Sequence, residues 1–262
     1  MNINRKIEQA IKLIQSAYET NPASIAVGFS GGKDSSVVAE LVRLSGCPIP
    51  LHYKNSTIDR PGTIKFVEDC GATILQPKTP FYKLLEKKGV PNFARRFCCE
   101  KLKEYKVTDI VLTGVRREES KKRSQIEDFT RCRTQGYQEI MPILNWTLNE
   151  IACFIKKQNI KLHPYYKERD LKCRLGCMGC PLPYNRSITD FKENPKLLLA
   201  WIKHLRIFET NHGGFGNEKW TLEQELVNHF FFHNTDQFRA QAFGLFPLDC
   251  KKILETHFNV KL

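Results

Sequence analysis

Ser30-Gly31-Gly32-Lys33-Asp34-Ser35 stands between the apolar run Ile25-Ala26-Val27-Gly28-Phe29 and the segment Ser36-Val37-Val38-Ala39-Glu40-Leu41-Val42-Arg43. The first flank predicts a short buried strand, and the apolar spacing of the second predicts a helix packed on a sheet. Between them, the glycines let backbone N–H groups turn toward an anion, and the helix N-terminus adds partial positive charge. Ser30 and Ser35 supply hydroxyls, Lys33 a mobile cation, and Asp34 a carboxylate able to hold magnesium or a substrate hydroxyl. A glycine pair before a helix is by itself only a turn. Strand, loop, hydroxyls and the Lys-Asp pair together point to nucleotide phosphates. The spacing is shorter than that of a Walker A loop, where four residues separate the first glycine from Gly-Lys-Ser/Thr.

Outward from this loop, strand-like and helix-like segments alternate to about residue 160, which predicts an α/β fold: a parallel sheet with helices on both faces. Ile7, Ile11, Ile14 and Tyr18 mark an amphipathic helix that Asn21-Pro22 ends. Residues 49–53, 73–75 and 109–114 read as strands, and Ile140-Met141-Pro142-Ile143 as a weaker one. Pro61 and Gly71 bracket a helix, and Thr147-Leu148-Asn149-Glu150 is a capping box ahead of Ile151, Phe154 and Ile155. Beyond residue 163 the strand pattern stops. Leu198, Trp201, Ile202 and Leu205 recur at helical spacing, the aromatics that follow read as core, and Gly213-Gly214-Phe215-Gly216 reads as a flexible connection. The expected organisation is a nucleotide-binding domain over 1–186 and a helical C-terminal extension over 187–262.

The chain has 262 residues, enough for one α/β domain with a smaller addition. It lacks an apolar run long enough to span a membrane, and its N-terminus lacks a signal-peptide core, so a soluble, cytoplasmic protein without membrane partners is expected. Its 41 Lys and Arg against 28 Asp and Glu give a net charge of +13, which suits a polyanionic partner. Residues 95–133 alone hold 12 Lys or Arg against 7 Asp or Glu, including Lys121-Lys122-Arg123, Arg131 and Arg133. Such a patch can engage phosphates without reading sequence, or can be a solvated loop.

Ten cysteines in a chain of this size, with no export signal, argue for metal or redox chemistry over a disulfide framework. Cys173-Arg174-Leu175-Gly176-Cys177-Met178-Gly179-Cys180-Pro181 holds three thiols within a glycine-bearing loop, and Cys98-Cys99 lies upstream. Four such thiolates can ligate a 4Fe-4S cluster or a zinc ion. Soft sulfur argues against magnesium or calcium there. Cys47, Cys70, Cys132, Cys153 and Cys250 are isolated and read as packing residues.

The loop resembles the PP-loop signature Ser-Gly-Gly-x-Asp-Ser of the ATP pyrophosphatase superfamily, whose members split ATP between the α and β phosphates. Three further blocks, Arg96-Phe97-Cys98-Cys99-Glu100-Lys101-Leu102-Lys103, Thr113-Gly114-Val115-Arg116-Arg117-Glu118-Glu119-Ser120 and Gly176-Cys177-Met178-Gly179-Cys180-Pro181, resemble those of the phosphoadenosine phosphosulfate reductase-like family. Pro142-Ile143-Leu144-Asn145-Trp146 and His163-Pro164-Tyr165-Tyr166 resemble its connecting segment. The resemblance implies an adenine-nucleotide α-hydrolase-like fold. It also implies that Ser30, Gly31, Gly32 and Ser35 bind pyrophosphate, with Lys33 offsetting its charge, Asp34 anchoring Mg2+, and Gly114, Arg116 and Arg117 lining the ATP site. In its cysteine-rich branch it implies a 4Fe-4S cluster, zinc being the alternative. Cluster-bearing adenylylsulfate reductases use a Cys-Cys pair and a distant Cys-x-x-Cys, matching Cys98, Cys99, Cys177 and Cys180. DndC/SspD-type DNA phosphorothioation proteins are similar to a single upstream cysteine with a trio, matching Cys98, Cys173, Cys177 and Cys180.

Two departures choose among these relatives. The reductases' loops have drifted from Ser-Gly-Gly-Lys-Asp-Ser, whereas the ATP-cleaving form is intact here. Reductases also carry a C-terminal Glu-Cys-Gly-x-His tail, whereas this sequence closes on Glu255-Thr256-His257-Phe258-Asn259-Val260-Lys261-Leu262, and Cys250 lacks the following glycine. The resemblance therefore implies an AMP-forming ATP pyrophosphatase of nucleic-acid sulfur modification, DNA phosphorothioation first. Its partners would be nucleic acid, DNA favoured over RNA, and a sulfur donor such as a cysteine desulfurase, and the chain could act as a homodimer. An adenylyl or phosphoadenylyl sulfate reductase and a tRNA thiolase are the alternatives.

Overall fold

The computed structural model describes residues 3–133, 135–167, 169–181, 186–232, 235–244 and 247–262. The apolar run before the glycine loop forms β1 (Ile25–Gly28), buried along nearly its whole length as an interior strand must be. Around it, β2 (Leu51–Lys54), β3 (Thr73–Leu75), β4 (Ile110–Leu112), β5 (Thr130–Cys132) and β6 (Gln138–Ile140) complete one sheet in the order β3-β2-β1-β4-β6-β5. All neighbours pair in parallel except β5 and β6, where Arg131 lies opposite Glu139 in an antiparallel pair. The chain order reverses between β1 and β4, and in open α/β sheets ligands bind outside the strand ends at such a point.

Among the described residues the helices are α1 (Ile3–Thr20), α2 (Lys33–Ser45), α3 (Thr63–Asp69), α4 (Phe81–Lys88), α5 (Phe97–Leu102), α6 (Lys121–Ser124), α7 (Leu148–Lys157), α8 (Arg186–Glu193), α9 (Pro195–His212), α10 (Leu222–Phe231), α11 (Thr235–Ala242) and α12 (Cys250–Phe258). None is long and apolar enough to cross a membrane. Two compact units result: residues 1–77 with 103–176, and residues 78–102 with 177–262. The sequence reading draws one boundary at residue 186; residues 78–102, with α4 and α5, fall in the second unit.

In the first unit, Ala10, Ile14 and Ala17 of α1, Val37, Val38 and Leu41 of α2, and Ile151 and Phe154 of α7 share a core with the strands. The capping box at α7 closes as expected, with Glu150 N–H donating to Thr147 Oγ1 and Thr147 N–H to Glu150 Oε2. The weak strand expected over 140–143 is shifted. β6 ends at Ile140, because Pro142 has no N–H for a ladder; Met141 N–H still donates to Phe129 O at 2.8 Å, and the buried Ile143 and Leu144 belong to the turn that follows.

The second unit is built on aromatics. Phe191 packs edge-on against Trp201, Phe230 and Phe258, and Phe81 of α4 meets Trp201. The stretch 213–216 is not a loose connection. Gly213 ends α9 in a left-handed cap, and Phe215, itself buried, exchanges both backbone hydrogen bonds with Trp220.

Candidate functional site: a glycine loop and the cysteines of the second unit

The loop of the first unit turns at Gly31, whose φ of +73° suits glycine, and passes through extended Gly32 into α2. Its hydroxyls brace one another. Ser30 N–H donates to Ser35 Oγ at 3.2 Å, the two hydroxyls lie 3.1 Å apart, and Ser35 Oγ donates to Gly32 O at 2.9 Å. No side chain caps α2 at Gly32, so its amino end keeps the donors and the dipole that anions favour. Lys33 N–H does find the Tyr166 hydroxyl at 3.3 Å, and the same oxygen accepts from Leu175 N–H at 3.3 Å. Burial pushes the Tyr166 phenol up, so it stays neutral while bridging the loop to the cysteine-bearing stretch. Sequence reading missed this role, although Tyr166 sits in the connecting segment noted above.

Behind the loop is a buried ionic chain. Lys33, only 2% exposed, places Nζ 2.9 Å from Asp34 Oδ2, and Arg116, 4% exposed, donates Nε–H to Asp34 Oδ1 at 2.7 Å. The other arm of Arg116 reaches Glu118 Oε2 at 2.6 Å and Trp146 O at 3.3 Å. Gly114 is required for this closeness, since a Cβ there would lie 2.7 Å from the Asp34 carbonyl carbon and 2.9 Å from its Cβ. Arg117 faces elsewhere. Its guanidinium bonds Ile126 O, Glu127 O and the Asn145 side chain, holding a loop rather than the phosphate cradle.

Beside the loop, a cavity of about 260 Å3 opens along β1, β2, β4 and β6, lined by Gly28, Ser30, His52, Lys54, Thr113 and Glu139 among others. Lys54 Nζ donates to Lys103 O and Tyr105 O and lies 4.4 Å from the Tyr105 ring centre. Burial lowers its pKa to about 8, with Glu104 opposing. His52 is likewise lowered, by burial and then by Lys54, and its Nδ1 is buried with no hydrogen-bond partner. Glu139 on the far wall accepts from Thr113 Oγ1 at 3.2 Å and from Arg131.

The second unit carries the thiols. Cys98 and Cys99 lie on α5, and Cys177 and Cys180 on the segment that leads toward α8. A hydrogen bond with Cys99, then burial, then the charges of Cys99, Cys177 and Cys180 drive the Cys98 thiol well above its ordinary pKa, so these four share one neighbourhood. The turn between Cys177 and Cys180 depends on Gly179, whose φ is +66° and whose N–H donates to the buried Asp190 carboxylate at 2.9 Å. A Cβ at Gly179 would come within 2.7 Å of the Phe191 ring. Cys173 belongs to the first unit, in a turn closed by its N–H to Asp170 O at 2.9 Å. Four soft sulfurs suit iron–sulfur or zinc chemistry. Among the described residues, however, no three His, Cys, Asp or Glu side chains converge as a metal shell.

Of the basic run, Arg116, Arg123, Arg131 and Arg133 are tied to acidic partners within the first unit, as is Arg174 beyond it. Lys121 and Lys122 are exposed on α6.

Residues 24–183 match the family described as phosphoadenosine phosphosulfate reductase domain. Two uncharacterized proteins of Methanocaldococcus jannaschii are similar: one is 30% identical over 79% of this chain and 54% of its own length, the other 28% over 78% and 46%. The chain thus spans about half the length of these curated relatives. Among solved structures, the phosphoadenylyl-sulfate reductase from Candida auris, in a phosphate complex, shares the fold, with a TM-score of 0.50 and 17% identity over 67% of this chain and 93% of that one.

Proposed function

Because the chain belongs to the phosphoadenosine phosphosulfate reductase domain family, we propose that it binds ATP at the Ser30–Ser35 loop and cleaves it to AMP and pyrophosphate to activate an oxygen of a nucleic acid, DNA first, for replacement by sulfur. The observation that carries this reading is the loop itself, an uncapped helix N-terminus with braced serines and, behind it, a buried lysine paired with Asp34. Its N–H donors would hold the departing pyrophosphate, and Lys33 would swing from Asp34 to the developing charge. Asp34, anchored from behind by Arg116, would then be left to hold Mg2+. The cavity beside β1 and β2 would take the base and ribose. The net charge of +13 supports a polyanionic substrate.

Cys98, Cys99, Cys177 and Cys180 would hold a 4Fe-4S cluster, which with one thiolate on each iron would supply redox chemistry when bound. The neighbourhood of Cys98 favours this set over one that includes Cys173. It also supports a second reading, since this is the set that the resemblance associates with adenylylsulfate reductases. The two are separated by assaying anaerobically purified protein for pyrophosphate release from ATP, with and without DNA, and for sulfite release from adenylyl sulfate with thioredoxin. Pyrophosphate release that disappears in K33A and D34A supports the first reading. Sulfite release without any ATP requirement overturns it in favour of the second.

A further inference from the structure

Residues 78–102 hold seven Lys and Arg against two Glu, and the most exposed large apolar side chain among the described residues, Phe93 at 79%, lies on this stretch. The ring is not on a loose tip. Arg95 N–H donates to Asn92 Oδ1 at 2.8 Å and Asn92 N–H donates to Arg95 O at 3.4 Å, so two reciprocal bonds close the turn around Phe93 and Ala94. Lys87, Lys88, Arg95, Arg96 and Lys101 are all exposed on the same short segment. Lys88 is near enough to Glu100 to help lower its carboxyl, after the hydrogen bond and charge of Lys101, so the end of α4 and the start of α5 border one basic surface.

We propose that this turn is a nucleic-acid contact in which the Phe93 ring stacks on an unpaired base of a DNA strand while Lys87, Lys88, Arg95 and Arg96 hold the neighbouring phosphates. The inference rests on the nucleic-acid reading above and gives it a place on the molecule. An exposed aromatic side chain in a closed turn, on a stretch rich in exposed cations, suits single strands, since every base offers a π-face and every linkage a charge. A protein-binding hot spot would instead centre its ring in an apolar patch, whereas the exposed charged side chains of this stretch are mostly basic, with Glu225 within the field of Arg95. Phe93 lies four positions before α5, the helix that bears Cys98 and Cys99.

The test uses the full chain, labelled single-stranded DNA, a duplex of the same sequence, and phosphatidylserine vesicles. The three native tryptophans, Trp146, Trp201 and Trp220, are buried, so the exposed indole of F93W reports its own surroundings. Single-stranded DNA should quench that indole, and F93A should bind single-stranded DNA about tenfold more weakly with an unchanged salt slope. The K87A/K88A double variant should instead flatten the salt slope, by about one unit for each phosphate that is no longer held. Phe93 is exposed, and a thermal melt checks that F93A stays folded. DNA binding that F93A leaves intact overturns this inference alone. Absence of DNA binding in the unaltered protein overturns the nucleic-acid reading and the inference with it. A blue shift on vesicles without quenching by DNA assigns the turn to a membrane surface and overturns it as well.

Discussion

Arg116 donates its Nε–H to Asp34 Oδ1 across 2.7 Å, tying the stretch after β4 to the second residue of α2. Both groups are largely out of water, and Lys33 and Glu118 extend the chain to four charges. Removing one partner leaves a buried charge uncompensated, which costs more than the pair contributes when intact. R116A should therefore lose ~3–5 kcal/mol in urea unfolding. R116K restores the charge without the two-pronged geometry and should recover only part of it. A loss in R116A no larger than that of an exposed pair such as Lys65–Asp69 would contradict the argument.

Gly114 and Gly179 are required for different reasons. At Gly114 a methyl group would meet the backbone of Asp34, so G114A should push α2 away from the loop and weaken ATP binding strongly, as read by calorimetry. At Gly179 the backbone itself is left-handed and the Phe191 ring closes the space, so G179A should cost ~1–3 kcal/mol and disturb the Cys177–Cys180 turn. G136A, at a left-handed position with open space, is the control for backbone strain alone.

Lys54 should titrate well below the ordinary lysine value. Its pKa of about 8 in the folded chain is below the ordinary 10.5, so the unfolded chain binds more protons between these values. Stability is accordingly penalised below about pH 8 and rises as the pH climbs toward 10.5. Acetylation followed by mass spectrometry across pH 7–11 should show Lys54 reacting with a midpoint near 8. A midpoint at the ordinary 10.5 would rule the shift out.

His229 on α10 is lowered to about 4 by burial first and by Arg95 second. The unfolded chain, with its imidazole near 6.5, takes up the proton first, so stability is complete above about pH 6.5 and declines as pH falls toward 4. Urea midpoints at pH 7.0, 5.5 and 4.5 should fall, and H229Q should flatten the trend. An equal decline in H229Q would assign the acid sensitivity to other groups.

Thiol replacement tests the sulfur set. On anaerobically purified protein, C99S should lose iron and visible absorption along with C98S, C177S and C180S, whereas C173S and C153S should keep both. Iron retained in C99S and lost in C173S would reverse the assignment.

Much of the first unit was legible in the sequence because its signals are local. The apolar run 25–28, the glycines after it and the spacing of Val37, Val38 and Leu41 each act within a few residues, as does the Thr147–Glu150 capping box. β5 was not legible, for Thr130-Arg131-Cys132 has no apolar alternation and pairs through Glu139, which lies elsewhere in the chain. Nor was α4, since Phe81 is buried against Trp201 of α9, more than a hundred residues later.

From sequence alone came the residue types of a phosphate cradle and five candidate thiols, because local spacing and chemistry are written in order along the chain. Only the tertiary structure decided what stands behind each of them. It set Arg116 on Asp34 and Arg117 on loop carbonyls, although the two are adjacent in sequence, and it gave Cys98 the company of Cys99, Cys177 and Cys180. Ion pairs act over a few ångströms of space, and folding alone brings residues 34 and 116 within that range.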